Sequence, residues 1–444
     1  MTSPSLQSWG RFPRAKQQSA RALVWQSDAL GAPAVEGSSL LPYGQGRSYG
    51  DACLNDGGTL LTTSTLDRFL GFDPLTGLIR CEGGVTLASI LKLVSSQGWF
   101  LPVTPGTKFV SVGGAIANDV HGKNHHWGGT FGCHVPRFLL LRSDGERYLC
   151  SATENPSLYG ATMGGLGLTG VILWADVQLK RMSHPFLLQE TVPFENLARF
   201  FEVAASSEAD FEYTMSWVDC LSRGKKLGRG LFYRGNHAPP QFDRLPLAAS
   251  HLSRKGGLSV PFDFPGFALN RFTVKAFNWA YYNRQRGKTT ERLVHYDPFF
   301  YPLDSIHHWN RIYGRRGFLQ FQCVVPFESG DGAMREILDR IARSGMGSFL
   351  AVLKTFGDVP SPGWLSFPRK GVTLALDFAN EGKRTQELFT QLDRVTREAG
   401  GAVYPAKDAC MPAESFRAYF PRLADFTRYV DPAFSSSFWR RVTS

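Results

Sequence analysis

The chain has 444 residues, too many for one ordinary hydrophobic core, so two domains are expected. With 43% hydrophobic and 20% charged residues, the composition is that of a globular protein and excludes a disordered one. The formal net charge of +11 suits an anionic partner, but the basic residues are spread along the chain rather than gathered in one block, which speaks against nucleic acid.

Seven cysteines, Cys53, Cys81, Cys133, Cys150, Cys220, Cys323 and Cys410, show no Cys-x-x-Cys spacing, so neither a disulfide framework nor a zinc site is expected. The first residues lack the apolar core of a signal peptide, and no uncharged apolar run reaches membrane-spanning length. A cytoplasmic chain is expected, free or peripheral at the inner face of the plasma membrane.

In chain order, Ala22–Gln26 reads as a short strand, and Leu41–Asp51 (LPYGQGRSYGD) as a glycine-punctuated loop with one guanidinium. Thr59–Thr63 and Leu78–Cys81 read as strands. Thr86 can cap a helix whose Leu87, Ile90, Leu91 and Val94 share one face, closed by Gly98. Pro102–Val135 then carries six glycines before FGCHV and ends in His121, Lys123, His125 and His126. Such a run lets the backbone approach a flat, phosphate-bearing cofactor closely. Phe138–Leu141 and Glu146–Cys150 form a hairpin about Ser143-Asp144-Gly145.

Gly165–Gly170 matches the dinucleotide fingerprint G-x-G-x-x-G, yet the following VILWADVQL reads as a strand rather than a helix, so a Rossmann NAD site is not expected. Beyond Arg181, strand-like Phe211–Val218, Phe318–Val325 and Val372–Phe378 alternate with helical Gly332–Ser344 and Lys383–Ala399, which predicts a second domain with an antiparallel sheet. Between them, residues 250–288 are basic and aromatic, and read equally as a surface helix with packed aromatics or a mobile lid touching lipid. The fold class is α+β. The expected divisions are 1–180, 181–410 and a C-terminal segment, 411–444, that returns to the first domain.

His121 and His125 stand four apart, but the glycines around them argue against the rigid helix a zinc site would use, and no metal is expected. A single imidazole beside a redox centre fits better. Lys407, in VYPAKDACM, reads as a surface partner of Asp408, the commoner fate of a Lys-Asp pair, or as a functional ammonium, and composition alone does not decide between them.

Three stretches, YGQGRSYGD (43–51), PGTKFVSVGGAIANDVHGKNHHWGGTFGCHV (105–135) and GATMGGLGLTGVI (160–172), together resemble the FAD-binding half of the vanillyl-alcohol-oxidase/para-cresol-methylhydroxylase (PCMH) flavoproteins. Segments 300–326, 348–357 and 403–426 extend the resemblance over nearly the whole chain, most closely to the decaprenylphosphoryl-β-D-ribose 2′-oxidase family. It implies a two-domain flavoprotein of the PCMH-type FAD-binding fold. It also implies FAD-dependent oxidation of the 2′-hydroxyl of a polyprenyl-phosphoryl-β-D-ribose, with an NAD(P)H-dependent keto-sugar reductase acting next; the alternative is an oxidase of a soluble alditol or aldonolactone. Carried over by position, FAD would lie against Gly44, Gly46, Arg47, Ser48, Tyr49 and Gly50. Gly106, Ser111, Val112, Gly113 and Gly114 would follow, then Asn118, Asp119, Val120 and His121, with Ile172 and Tyr404. Tyr49, Lys123, Trp217, Gln322, Lys354 and Lys407 would face substrate, with Lys407 and His121 in the chemistry. Related sugar oxidases often carry a flavin-linking His where this chain has Arg47, which implies non-covalent FAD. A cysteine common in the family's flavin-facing sheet is here Ala375.

Overall fold

The computed structural model describes residues 6–31, 37–240, 258–266, 268–285 and 287–444. Strands β1 (Ser19–Ala22), β2 (Leu40–Tyr43) and β3 (Thr59–Thr62) make a parallel sheet in the order β1-β3-β2. The first strand thus ends where sequence reasoning began it. The amides of Val24 and Trp25 turn to the Asp28 carboxylate at 2.8 and 2.9 Å, which takes them out of the ladder.

Next come β4 (Phe69–Phe72), β5 (Leu78–Glu82), β6 (Trp99–Phe100), β7 (Arg137–Leu141), β8 (Arg147–Ser151), β9 (Val171–Gln178) and β10 (Lys180–Arg181). Five of them form an antiparallel sheet, β4-β5-β9-β7-β8, while β6 pairs with β10. The glycine run Gly165–Gly170 therefore leads into a strand, β9, and not into a helix. Helix Leu87–Val94 is capped by the Thr86 hydroxyl and buries Leu87, Ile90, Leu91 and Val94. A 3₁₀ turn, Ser95–Gln97, extends it before left-handed Gly98 ends the run.

The largest sheet is antiparallel and eight-stranded. It comprises β11 (Phe186–Phe194), β12 (Tyr213–Val218), β13 (Gly230–His237), β15 (Thr290–His295), β17 (Phe318–Val325), β18 (Ala351–Phe356), β19 (Gly371–Ala379) and β20 (Ala402–Val403), in the order β15-β11-β13-β12-β18-β19-β17-β20. Strands β14 (Leu258–Ser259) and β16 (Ile306–His307) form a small parallel pair outside it. Side chains alternate across a strand. Phe321, Cys323, Leu353, Leu374 and Leu376 point into a core with Ile337, Leu338, Leu388 and Leu392 of helices Phe327–Ser344 and Lys383–Glu398. The opposite face is left for something else. The C-terminal segment packs on the first sheet: Phe434 bridges Leu40, and the Ser437 amide donates to Leu54 O at 2.7 Å.

Within 250–288, Arg271–Asn283 forms a helix capped by Asn270, docked through Val274 and Asn278. Phe272 and Trp279 stay 80% and 62% exposed. Residues 250–257, 267 and 286 lie outside the described residues.

Candidate active site

A cavity of about 690 Å³ lies between the glycine loops and the free face of the large sheet. The first wall is backbone. Gly44, Gly46, Arg47, Ser48 and Tyr49 line it, followed by Gly106, Ser111, Gly113 and Gly114, then Asn118, Val120 and Ile172. Gly46 has φ +60°, and a Cβ there would stand 2.1 Å from Tyr43 Oη, so no side chain is accommodated. At Gly106 a Cβ would meet nothing within 4 Å.

Three residues predicted for this wall are not on it. Gly50 is pressed against the Lys407 turn, where a Cβ would lie 1.6 Å from Asp408 O. Val112 is wholly buried in the core behind the wall. Asp119 is also fully buried, and its carboxylate accepts from Ser361 Oγ, Ser366 Oγ and the Gly132 amide. Burial raises its pKa and these donors oppose the rise. These three serve packing and loop closure.

The second wall is written in the period of two. Met215 and Trp217 of β12, Val352 and Lys354 of β18, Thr373, Ala375 and Asp377 of β19, and Gln320 and Gln322 of β17 all face the cavity. Register sets them in rows: Gln322 is opposite Ala375, Ala375 opposite Val352, and Val352 opposite Trp217, while Gln320 faces Asp377 and Lys354 faces Thr373. Gln320 and Asp377 were not among the predicted residues. Their spacing of two from Gln322 and Ala375 was the available signal.

His121 sits where the walls meet. The Gln322 amide nitrogen, which can only donate, stands 2.9 Å from His121 Nε2, so that atom accepts and the ring hydrogen belongs on Nδ1. His121 Nδ1 is buried without a protein partner. Burial first, then Lys354, His125 and Lys407, push the ring's pKa well below its usual value and keep it neutral. His125 packs on Phe356 at 4.5 Å and His126 Nε2 meets Phe211 O at 2.9 Å, so the neighbouring imidazoles hold the loop.

Three ammonium groups surround this point. Lys354 Nζ donates to Gly122 O at 2.9 Å and Lys123 Nζ to Phe299 O. Burial lowers both to about 7, helped by Lys407 on Lys354 and by Lys354 on Lys123. Lys407 Nζ lies 3.7 Å from the centre of the Tyr49 ring. Burial depresses the Lys407 pKa, and the nearby Asp377 carboxylate opposes this; Asp377, buried and hydrogen-bonded to Gln320, is itself raised. Tyr404 completes the wall, its hydroxyl donating to Asn118 O at 2.8 Å and its ring stacked on Phe367.

These features fit FAD. Arg47 lies on the Trp9 ring at 4.4 Å, and its buried Nε has no protein partner, as an anion-binding guanidinium would. The cavity joins a glycine-rich wall, suited to a flat ring, to a polar wall suited to a hydroxylated substrate.

Residues 27–151 match a family described as an FAD binding domain. Decaprenylphosphoryl-beta-D-ribose oxidase of Mycolicibacterium smegmatis is 37% identical over 425 residues, covering 91% of this chain and 89% of that protein. An uncharacterised Streptomyces coelicolor protein encoded in the mprA 5′ region is 32% identical over 81% of this chain and 100% of its own length. A D-arabinono-1,4-lactone oxidase of Eremothecium gossypii is 23% identical over only 44% of this chain.

Proposed function

Because the chain belongs to the decaprenylphosphoryl-β-D-ribose oxidase family of FAD-dependent oxidoreductases, we propose that it oxidises the 2′-hydroxyl of a polyprenyl-phosphoryl-β-D-ribose to the 2′-keto sugar. The observation that carries this reading is the convergence of His121, Gln322, Lys354 and Lys407 on one cavity from four separated parts of the chain. Bound FAD supplies the two-electron acceptor for the hydride leaving C2′. The proton is the protein's task. Lys407 Nζ, kept from its full basicity by burial, takes it from the 2′-hydroxyl. His121, neutral and held through Nε2, presents its Nδ1 hydrogen to cofactor or sugar oxygen. Lys123 and Lys354 bind the sugar phosphate.

The same reading assigns FAD to residues 1–180, substrate to 181–410, and closure of the first unit to 411–444. It also holds FAD non-covalently, since Arg47 occupies the slot of the linking histidine. The ketone product is a substrate for an NAD(P)H-dependent keto-sugar reductase. Phe277, Tyr281, Leu303 and Ile306 line the cavity, a route for a polyprenyl chain, and the helix carrying Phe277 and Tyr281 exposes Phe272 and Trp279 to a membrane surface.

The purified protein is expected to be yellow and to release its colour into the supernatant on acid denaturation. It is expected to reduce an artificial acceptor with a prenyl-phosphoryl ribose and not with free alditols or aldonolactones. Turnover of the free sugars alone would move the assignment to a soluble-sugar oxidase.

A further inference from the structure

A second cluster of charge lies outside the cavity, behind Lys407. Arg441, on the C-terminal helix Ser437–Thr443, donates from Nε to Asp51 Oδ2 at 2.9 Å and from Nη2 to Asp51 Oδ1 at 2.7 Å. The same Nη2 reaches Asp408 Oδ2 at 2.9 Å, and Nη1 donates to Met411 O. Asp51 and Asp408 are 3% and 4% exposed, so neither charge is balanced by water. Each follows closely on a cavity residue: Asp51 stands two after Tyr49, and Asp408 follows Lys407. The two segments already touch, with the Tyr49 amide donating to Ala406 O at 2.9 Å and Gly50 pressed on Asp408 O.

We propose that Arg441 is a positioning residue that locks the Tyr49 loop to the Lys407 turn and so sets the height of Lys407 Nζ above the Tyr49 ring. Without the guanidinium, two buried carboxylates face each other and push apart the segments that carry Tyr49 and Lys407. Lys407 then tilts out of the environment it shares with Asp377 of β19, Lys354 of β18, His121 of the glycine loop and Tyr49. Its amine returns toward the ordinary basicity of an exposed lysine. The consequence for turnover rests on the proposed role of Lys407 as proton acceptor; the positional claim does not.

The test uses flavin-loaded Arg441→Gln and Arg441→Lys beside wild type. Reductive methylation of Lys407, followed by mass spectrometry across pH, reads its basicity without turnover, and steady-state kinetics read kcat and KM. In Arg441→Gln the methylation midpoint is expected to move to higher pH. Its kcat is expected to fall on the order of 10- to 100-fold with a smaller change in KM, as for a misplaced reacting group. Arg441→Lys, which keeps the charge but cannot make the two-pronged bond, is expected to show an intermediate shift and serves if the glutamine variant does not fold. Adding Asp408→Asn to Arg441→Gln removes the like-charge repulsion and is expected to recover part of the loss. An unchanged methylation midpoint in both variants overturns the proposal. A shifted midpoint with unchanged kcat supports the positioning and removes Lys407 as the base.

Discussion

In the proposed mechanism one cavity sets two basic groups, Lys407 and His121, to different tasks. Both are depressed by burial, but from opposite starting points. An imidazole pushed down from near neutrality can only be neutral, a hydrogen-bonding group. An ammonium pushed down from the usual lysine value, about 10.4, becomes a base usable nearer physiological pH. Turnover limited by Lys407 therefore rises with pH, because the neutral amine is the active form, and its midpoint lies below that of an ordinary lysine. Lys407→Met is expected to keep its flavin, lose at least about 10²-fold in kcat and lose this rising limb. A pH profile of kcat for both proteins checks it. The histidine cluster was visible in the sequence, but not the division of labour within it. Spacing cannot say that His121 meets Gln322 while His125 packs on Phe356.

At the scale of elements, the site depends on two sheets that spend polar residues differently. The free face of the eight-stranded sheet keeps Gln320, Gln322, Lys354 and Asp377 for the cavity. In the five-stranded sheet, Asp176 of β9 is 1% exposed and is used for cohesion alone. It accepts from Arg80 of β5 at 2.7 and 2.9 Å and from Arg137 of β7 at 2.8 Å, tying three adjacent strands. Burial by itself would raise its carboxyl, and the two guanidinium groups outweigh that and hold it low. A group depressed in the folded state adds stability above its unfolded pKa and loses it as pH falls through the folded value. Asp176→Asn is expected to cost about 1–3 kcal/mol near neutral pH, the usual cost of leaving buried partners unmatched. The gap from wild type should narrow as acid titrates the carboxylate, which urea titrations at several pH values measure. Alternation in β17 and β19 could have revealed Gln320 and Asp377, since a polar residue two places from a cavity residue shares its face.

Over the whole molecule, the +11 charge has a local expression around helix Arg271–Asn283. Phe272 and Trp279 project outward beside exposed Lys275, Arg284 and Lys288, while Leu258 and Phe262 are 72% and 62% exposed. Aromatic and basic side chains presented together suit an anionic lipid surface. Among the described residues, no helix is long and apolar enough to cross a membrane. The mode proposed for this face is contact with one leaflet. Phe272→Ser with Trp279→Ser is expected to weaken sedimentation with phosphatidylglycerol vesicles, by about 1.5–3 kcal/mol for each ring that buries fully. Turnover of a short-chain, water-soluble substrate should stay unchanged, because neither ring lines the cavity. Equal sedimentation of variant and wild type would remove this face as the docking surface.

The sequence by itself determined whatever local spacing encodes. The Thr86-capped helix, the strand after Gly165–Gly170, the alternating antiparallel segments and the glycine stretch suited to a flat, phosphate-bearing cofactor all follow from neighbours a few residues apart. Tertiary structure alone decided which of those residues meet. It withdrew Gly50, Val112 and Asp119 from the cavity wall and brought Asp377 to it. It also placed Lys407 over Tyr49, with Arg441 bonded to both adjoining segments. Such approaches are set by packing between distant segments and by burial, and neither has a period that can be read along a chain.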